Sequence, residues 1–294
     1  MASIGASRPA AGPDFYKALV RAFAGAFVFA LPLLMTAEMW TLGFTMRSER
    51  LALMLLLTVP LLSGLAYYGG FRRNVGLVDS VVDGLVAFAL GAVAAALTLV
   101  AFGVLGPDSS VEEAVGTVAL ESVPAAMGAV LARSQLGVVG EAGGDGPAQA
   151  DGNGREGGTR DWGESYAGEL FLMVAGALFF AFHMAPTEEI VMINLEQGHP
   201  GWAIGTMLAS VLLLHAFVYA LDFRGQHDRA HDRSRLPTFL SLTLPGYALV
   251  LATSLLVLWL FGRTDGLEPS QALHLTAVLG LPGALGAATA RLVL

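Results

Sequence analysis

The chain contains no cysteine. Disulfides, zinc–thiolate sites, iron–sulfur clusters and thiol nucleophiles are therefore excluded, and redox compartment leaves no trace in the sequence. Charge is also scarce. Only 14% of the 294 residues are charged, where a soluble domain carries about 25%. Lys17 is the single lysine among the basic residues. No basic stripe marks a nucleic-acid partner. The enzyme signatures that can be read from spacing are missing as well. There is no His-Glu-x-x-His, no Gly-x-Ser-x-Gly and no phosphate-binding glycine loop opening a Lys-Ser/Thr helix. The expectation is a protein that is not an enzyme and carries no cofactor.

What the chain has is apolar length. Hydrophobic residues make up 55% and the mean hydropathy is +0.64. Gly84 to Gly106 and Gly201 to Leu221 carry no charged side chain, and about 20 such residues span a bilayer core as a helix. Short alternating segments of the kind a membrane β-barrel uses are absent. The first apolar run is long, holds Glu38 and lacks a small-residue cleavage site, so it reads as a helix and not as a signal peptide. The fold class is an all-α membrane protein, with eight transmembrane helices near 20–44, 51–70, 77–105, 114–134, 167–192, 201–221, 237–261 and 271–293.

The helices fall into two sets that read alike. Gly25, Ala26, Phe29, Ala30, Thr36 and Glu38 match Gly176, Ala177, Phe180, Ala181, Thr187 and Glu189 without a gap. Leu56, Val59, Leu61, Leu62, Tyr67, Phe71 and Arg72 match Leu208, Val211, Leu213, Leu214, Tyr219, Phe223 and Arg224. Pro124, Ala126, Gly128, Ala129, Ala132 and Arg133 match Pro282, Ala284, Gly286, Ala287, Ala290 and Arg291. Apolar matches are cheap between membrane segments, but an acid matching an acid is not, because carboxylates there are rare and costly. The third and seventh helices align only loosely. The expected organisation is a first four-helix repeat with its N-terminal tail (1–138), a Gly-rich acidic linker (139–165) and a second four-helix repeat (166–294). With an even helix number the two repeats run parallel, related by an axis along the membrane normal.

Basic residues set the expected orientation. With a cytoplasmic N-terminus, only Arg47, Arg50 and Arg263 of the 16 basic residues fall outside. Trp40, Trp202 and Trp259 then lie at outer helix ends, as an interfacial belt does. The expected location is the cell membrane, multi-pass, with both termini and the linker cytoplasmic. The expected partner is the lipid bilayer, with a small cation or protons beside it, and oligomeric state is left open.

Candidate chemistry gathers at a few polar residues. Glu38 and Glu189 hold equivalent places in the first and fifth helices. Glu188 adjoins Glu189, and His183 lies about one turn before them. Pro186 removes a backbone donor and loosens carbonyls beside the acids. Glu121 lies in the outer half of the fourth helix, and His215 in the middle of the sixth. Carboxylates and carbonyls suit hard cations, and buried Glu–His chains relay protons. The expected function is a transporter or channel for a small cation or protons, with Glu38, Glu188 and Glu189 as binding residues and Glu121 and His183 as secondary members. The competing reading is a membrane sensor or scaffold that transports nothing, with interfacial acids and histidines that tie helices together. Gly201 and Gly205, and the ridge Gly280, Gly283 and Gly286, read as helix-packing positions. His227 to Arg233, a small His-Asp-Arg repeat, reads as a solvated cytoplasmic loop.

Phe180 to Ile190, with Ala185-Pro186-Thr187-Glu188-Glu189 as its most specific part, resembles the signature of an uncharacterised family of prokaryotic integral membrane proteins. The resemblance covers both halves outside the linker and implies a polytopic helical fold without naming a substrate. The first half departs from it, carrying Met35-Thr36-Ala37-Glu38 at this place, so a role that needs both acids is confined to the second half.

Overall fold

A computed structural model describes residues 13–68, 76–141, 166–196, 200–220 and 239–293. The His-Asp-Arg repeat lies outside them, as does nearly all of the expected linker. The elements formed by the described residues are all helices, with no strand among them. In chain order they form α1 (Pro13–Leu34), α2 (Ala37–Thr45), α3 (Ser48–Tyr68), α4 (Leu77–Ala101) and α5 (Val111–Glu141). There follow α6 (Tyr166–Met184), α7 (Glu189–Glu196), α8 (Pro200–Ala220), α9 (Leu244–Leu260) and α10 (Pro269–Val293), with a π-helical turn, Phe239–Thr243, leading into α9.

Seven of these helices are long and apolar enough to cross a bilayer: α1, α3, α4, α5, α6, α9 with its π turn, and α10. In α8 the apolar stretch Gly201–Phe217 is shorter. Leu56, Val82, Leu97, Leu208, Leu212 and Leu255 point outward, an apolar surface that suits lipid and not water. The chain is thus a multi-pass integral membrane protein.

Two helices expected to be continuous are broken. The run 20–44 divides at Met35–Thr36 into α1 and α2, and the run 167–192 divides at 185–188 into α6 and α7. Pro186 explains the second break, since it has no N–H to continue the ladder. In the first break Thr36 adopts an extended backbone, φ −96° and ψ 128°, and donates both its N–H and its hydroxyl to Leu33 O.

α5 and α10 are the interior helices. Of the best apolar window of each, 72% and 61% are buried, against 33–44% in the other spans. α5 packs on α1, α2, α3 and α4, and α10 packs on α6, α7, α8 and α9. Their Ala- and Gly-rich sequences let backbones approach closely. A Cβ on Gly25 would overlap the Gly128 carbonyl and Ala132, which fixes the α1–α5 crossing. A Cβ on Gly176 would overlap the Gly286 carbonyl and Ala290, which fixes the α6–α10 crossing. Gly205 departs from the expectation of a helix-packing position: among the described residues nothing lies within 4 Å of where its Cβ would be.

α1–α5 meet α6–α10 through a few specific contacts. The Phe171 ring of α6 lies against Gly64 and within 5.1 Å of the Tyr68 ring, both on α3. At the opposite end of α3, Arg50 makes a two-pronged ion pair with Asp265, both N···O distances 2.7 Å. The same guanidinium stacks 4.9 Å over Trp259 of α9.

Candidate functional site

Glu121 is the outlier among the charged side chains. It is 0% exposed, and neither carboxyl oxygen has a hydrogen-bond partner among the described residues. It sits at the centre of the span Val111–Ala132, deeper than the outer-half position its sequence suggested. Its direction follows from helix geometry. Thr117, Glu121 and Gly128 share one stripe of α5, at spacings i, i+4 and i+11. Thr117 packs on Gly43 of α2, and Gly128 packs on Gly25 and Phe29 of α1. Glu121 lies between those levels, about 6 Å from the first and about 10 Å from the second along the axis. Between the same levels on the facing chain lies the Met35–Thr36 break. Pro124 adds an oxygen nearby, because the Leu120 carbonyl loses the helical donor that residue 124 would supply.

The two breaks are capped alike and then differ. Thr36 gives its hydroxyl to Leu33 O at 2.8 Å, and Thr187 gives its own to Met184 O at 2.9 Å. Leu34 O, just before the first break, accepts the Trp40 indole N–H at 2.8 Å. Ala185 O, its counterpart, accepts Nε of Arg263 at 3.1 Å, and Pro186 O accepts Nη2 of the same side chain. A neutral donor therefore closes one break and a full positive charge closes the other.

His183 joins α6 to α1. Its Nδ1 lies 2.7 Å from Phe179 O, and its Nε2 lies 3.0 Å from Phe29 O. Both partners are carbonyls. A neutral imidazole donates to one of them, and an imidazolium donates to both. His215 makes a helix-to-helix contact of the plain kind, Nδ1 to the Thr243 hydroxyl at 3.0 Å.

The remaining acids are less enclosed. Glu38, in the first turn of α2, is half-buried, whereas Glu188 and Glu189 are exposed. The Glu189 carboxyl is held below the usual carboxylate range by its own backbone N–H and then by the Thr187 hydroxyl. No hydrogen bond joins any two of Glu38, Glu121, His183, Glu188 and Glu189. Among the described residues no three His, Asp or Glu side chains stand together as a metal site. The expected cluster of acids thus resolves into an enclosed carboxyl, a histidine bridge and three acids nearer the surface. Reading the sequence for acids alone missed Arg263. The signal was Phe261-Gly262-Arg263, which parallels Phe102-Gly103-Val104.

No curated protein and no solved structure matches the chain. A family model described as "Putative integral membrane protein (DUF2391)" matches residues 18–294, nearly the whole length, and the chain belongs to that family.

Proposed function

We propose that this protein is a transporter or channel for a small cation or protons, built from two parallel four-helix halves. The observation that carries the reading is Glu121, enclosed at mid-span with both oxygens unbonded. An ionised carboxylate at the centre of a membrane helix costs about 3 kcal/mol on insertion scales. A proton or a bound cation removes that cost. A carboxyl that gains and loses such a partner during turnover is the simplest ion-carrying device a membrane interior can hold. The half-buried Glu38 and the exposed Glu188 and Glu189 attract cations toward the end of the bundle that holds the breaks. His183 couples the halves, since its ring links α6 to the main chain of α1.

Three parallels support the two halves. The Gly25–Gly128 crossing has its counterpart in Gly176–Gly286. The breaks fall at matching positions and carry the same threonine cap. α4 and α9 end alike, with Gly103 at φ 72° and Gly262 at φ 73°. There Val104 N–H reaches Leu99 O at 2.9 Å and Arg263 N–H reaches Leu258 O at 2.8 Å. This parallel extends to the pair of helices whose sequences align least. With α8 as an eighth crossing, both termini share one side, which the basic residues make the cytoplasm of a cell membrane.

The test is flux. Purified protein in proteoliposomes with an entrapped pH indicator should move protons or exchange them for Na⁺ or K⁺ under an imposed gradient. Glu121→Gln should cut the rate at least tenfold while the protein stays folded. A wild type that moves no ion under any of these gradients would refute transport and favour a sensor or scaffold.

A further inference from the structure

The two breaks differ by one fixed charge. In the second half, Arg263 extends from the residue just after the Gly262 cap and reaches the two carbonyls of the α6–α7 break. In the first half, the residue just after the Gly103 cap is Val104. The main-chain geometry around it is the same: Phe102 N–H to Thr98 O at 2.9 Å and Phe261 N–H to Val257 O at 3.0 Å, then Gly103 N–H to Val100 O and Gly262 N–H to Trp259 O at 3.0 Å each. Val104 therefore holds the same place in its cap as Arg263 does in the other, but it carries no charge.

The interior helices differ in the opposite sense. At the level of the first break α5 carries Glu121. The matching register of α10, counted from Pro124 against Pro282, carries Leu279, which is fully buried and apolar. Among the described residues, the second break thus holds a built-in cation with an apolar residue at the matching register of α10, and the first break has a neutral donor with a buried acid at its level on α5. The Glu121 carboxyl has no compensating partner among the described residues.

We infer that Arg263 is a resident cation that permanently fills the second break, and that the first break takes an exchangeable cation in the equivalent place. The exchangeable ion is a proton or a small monovalent cation, held by the Glu121 carboxylate and the Leu120 carbonyl. The chain accordingly has a single exchangeable site and not one per half, and Arg263 is a positioning residue that stays in place throughout. This inference rests on the reading of Glu121 as the ion-taking group, but not on whether the ion is afterwards carried across.

The test supplies a tethered cation to the first half. Melting of the full chain in detergent is followed at graded pH and with LiCl, NaCl or KCl. Wild type should melt higher as protons or one of these cations are added, because a ligand of the folded state alone stabilises it. Glu121→Gln should abolish that response. Val104→Arg should melt higher than wild type without added ion, by roughly 2–4 °C if the gain is about 1 kcal/mol, and should no longer respond. The double variant should lose the gain, and Arg263→Gln should melt lower yet respond as wild type does. Should Val104→Arg fail to fold, labelling of wild-type Glu121 by a hydrophobic carbodiimide, located by peptide mass spectrometry, decides the matter. Labelling should change several-fold with pH or cation. A Val104→Arg protein that responds like wild type, or Glu121 labelling indifferent to pH and every cation, overturns the inference. A cation-dependent melt with no flux in proteoliposomes would refute transport and leave the site standing. Flux lost in Glu121→Gln but a responsive Val104→Arg would refute the site and leave transport standing.

Discussion

Glu121 is kept at a cost in stability. A buried polar group without a partner costs about 1–3 kcal/mol relative to an apolar residue of similar size. Leu279, at the matching register of α10, is the apolar solution to the same packing position. Glu121→Leu is therefore expected to stabilise the protein by about 1–3 kcal/mol at neutral pH without added salt, read as a higher midpoint in chemical or thermal unfolding. A lower midpoint would mean that the carboxyl is compensated in the folded state after all. His183 is expected to behave in the opposite way. His183→Phe removes both ring nitrogens from the Phe179 and Phe29 carbonyls and should cost about 1 kcal/mol, within the range measured for polar contacts between membrane helices. His183→Gln, which can still donate, should recover part of that loss. Equal midpoints for the two variants would show that ring packing on Phe179, at 4.5 Å between centroids, is what matters.

At the scale of helices, the Ala- and Gly-rich runs are the most deeply packed. The fourth apolar run reads as the weakest in the sequence, being rich in Ala and Gly and interrupted by Glu121 and Pro124. That composition follows from its place as α5, which touches helices on several sides and presents little surface to lipid. The matched Gly, Pro and Ala residues in the sequence were therefore a signal of interior helices. The division of α1 from α2 was not legible. No proline stands at Met35–Thr36, Pro32 lies inside α1, and a threonine cap is common in unbroken chain as well. The position of Glu121 opposite that break was likewise hidden, because it depends on the α1–α5 crossing and not on any spacing within one segment. The crossings themselves make a sharp prediction. Gly25→Ala and Gly176→Ala should each cost about 1–3 kcal/mol by overpacking. Gly205→Ala, with no described residue within 4 Å of the added methyl, should stay within about 0.5 kcal/mol of wild type. Thermal unfolding of the three variants side by side checks this, and an equal cost at all three positions would contradict the crossings.

Across the whole molecule, Arg50 and Asp265 form the charged clasp between α3 and the α9–α10 loop. Arg50 lowers the Asp265 carboxyl below its ordinary value, chiefly through the hydrogen-bonded ion pair. A lowered folded-state value means that the stabilisation is present above the unfolded value, about 3.9, and is lost as pH falls through the folded one. The Asp265 side chain is 54% exposed, so water and salt reduce the effect to about 1 kcal/mol or less. Wild type should lose that increment of stability as pH falls below about 4, and Asp265→Asn should show no such loss. Parallel pH–stability curves for the two proteins would mean that the clasp contributes nothing.

The position of the breaks has a mechanical consequence. The short helices α2 and α7 lie beyond the breaks, toward the Arg50–Asp265 end, while α1 and α6 run unbroken through the glycine crossings toward the other. The main-chain hydrogen bonding of α1–α2 and of α6–α7 is therefore interrupted only toward the Arg50–Asp265 end, and toward the other end close glycine contacts hold α1 against α5 and α6 against α10. Any bend in these segments is expected to gather at the breaks and not at the crossings.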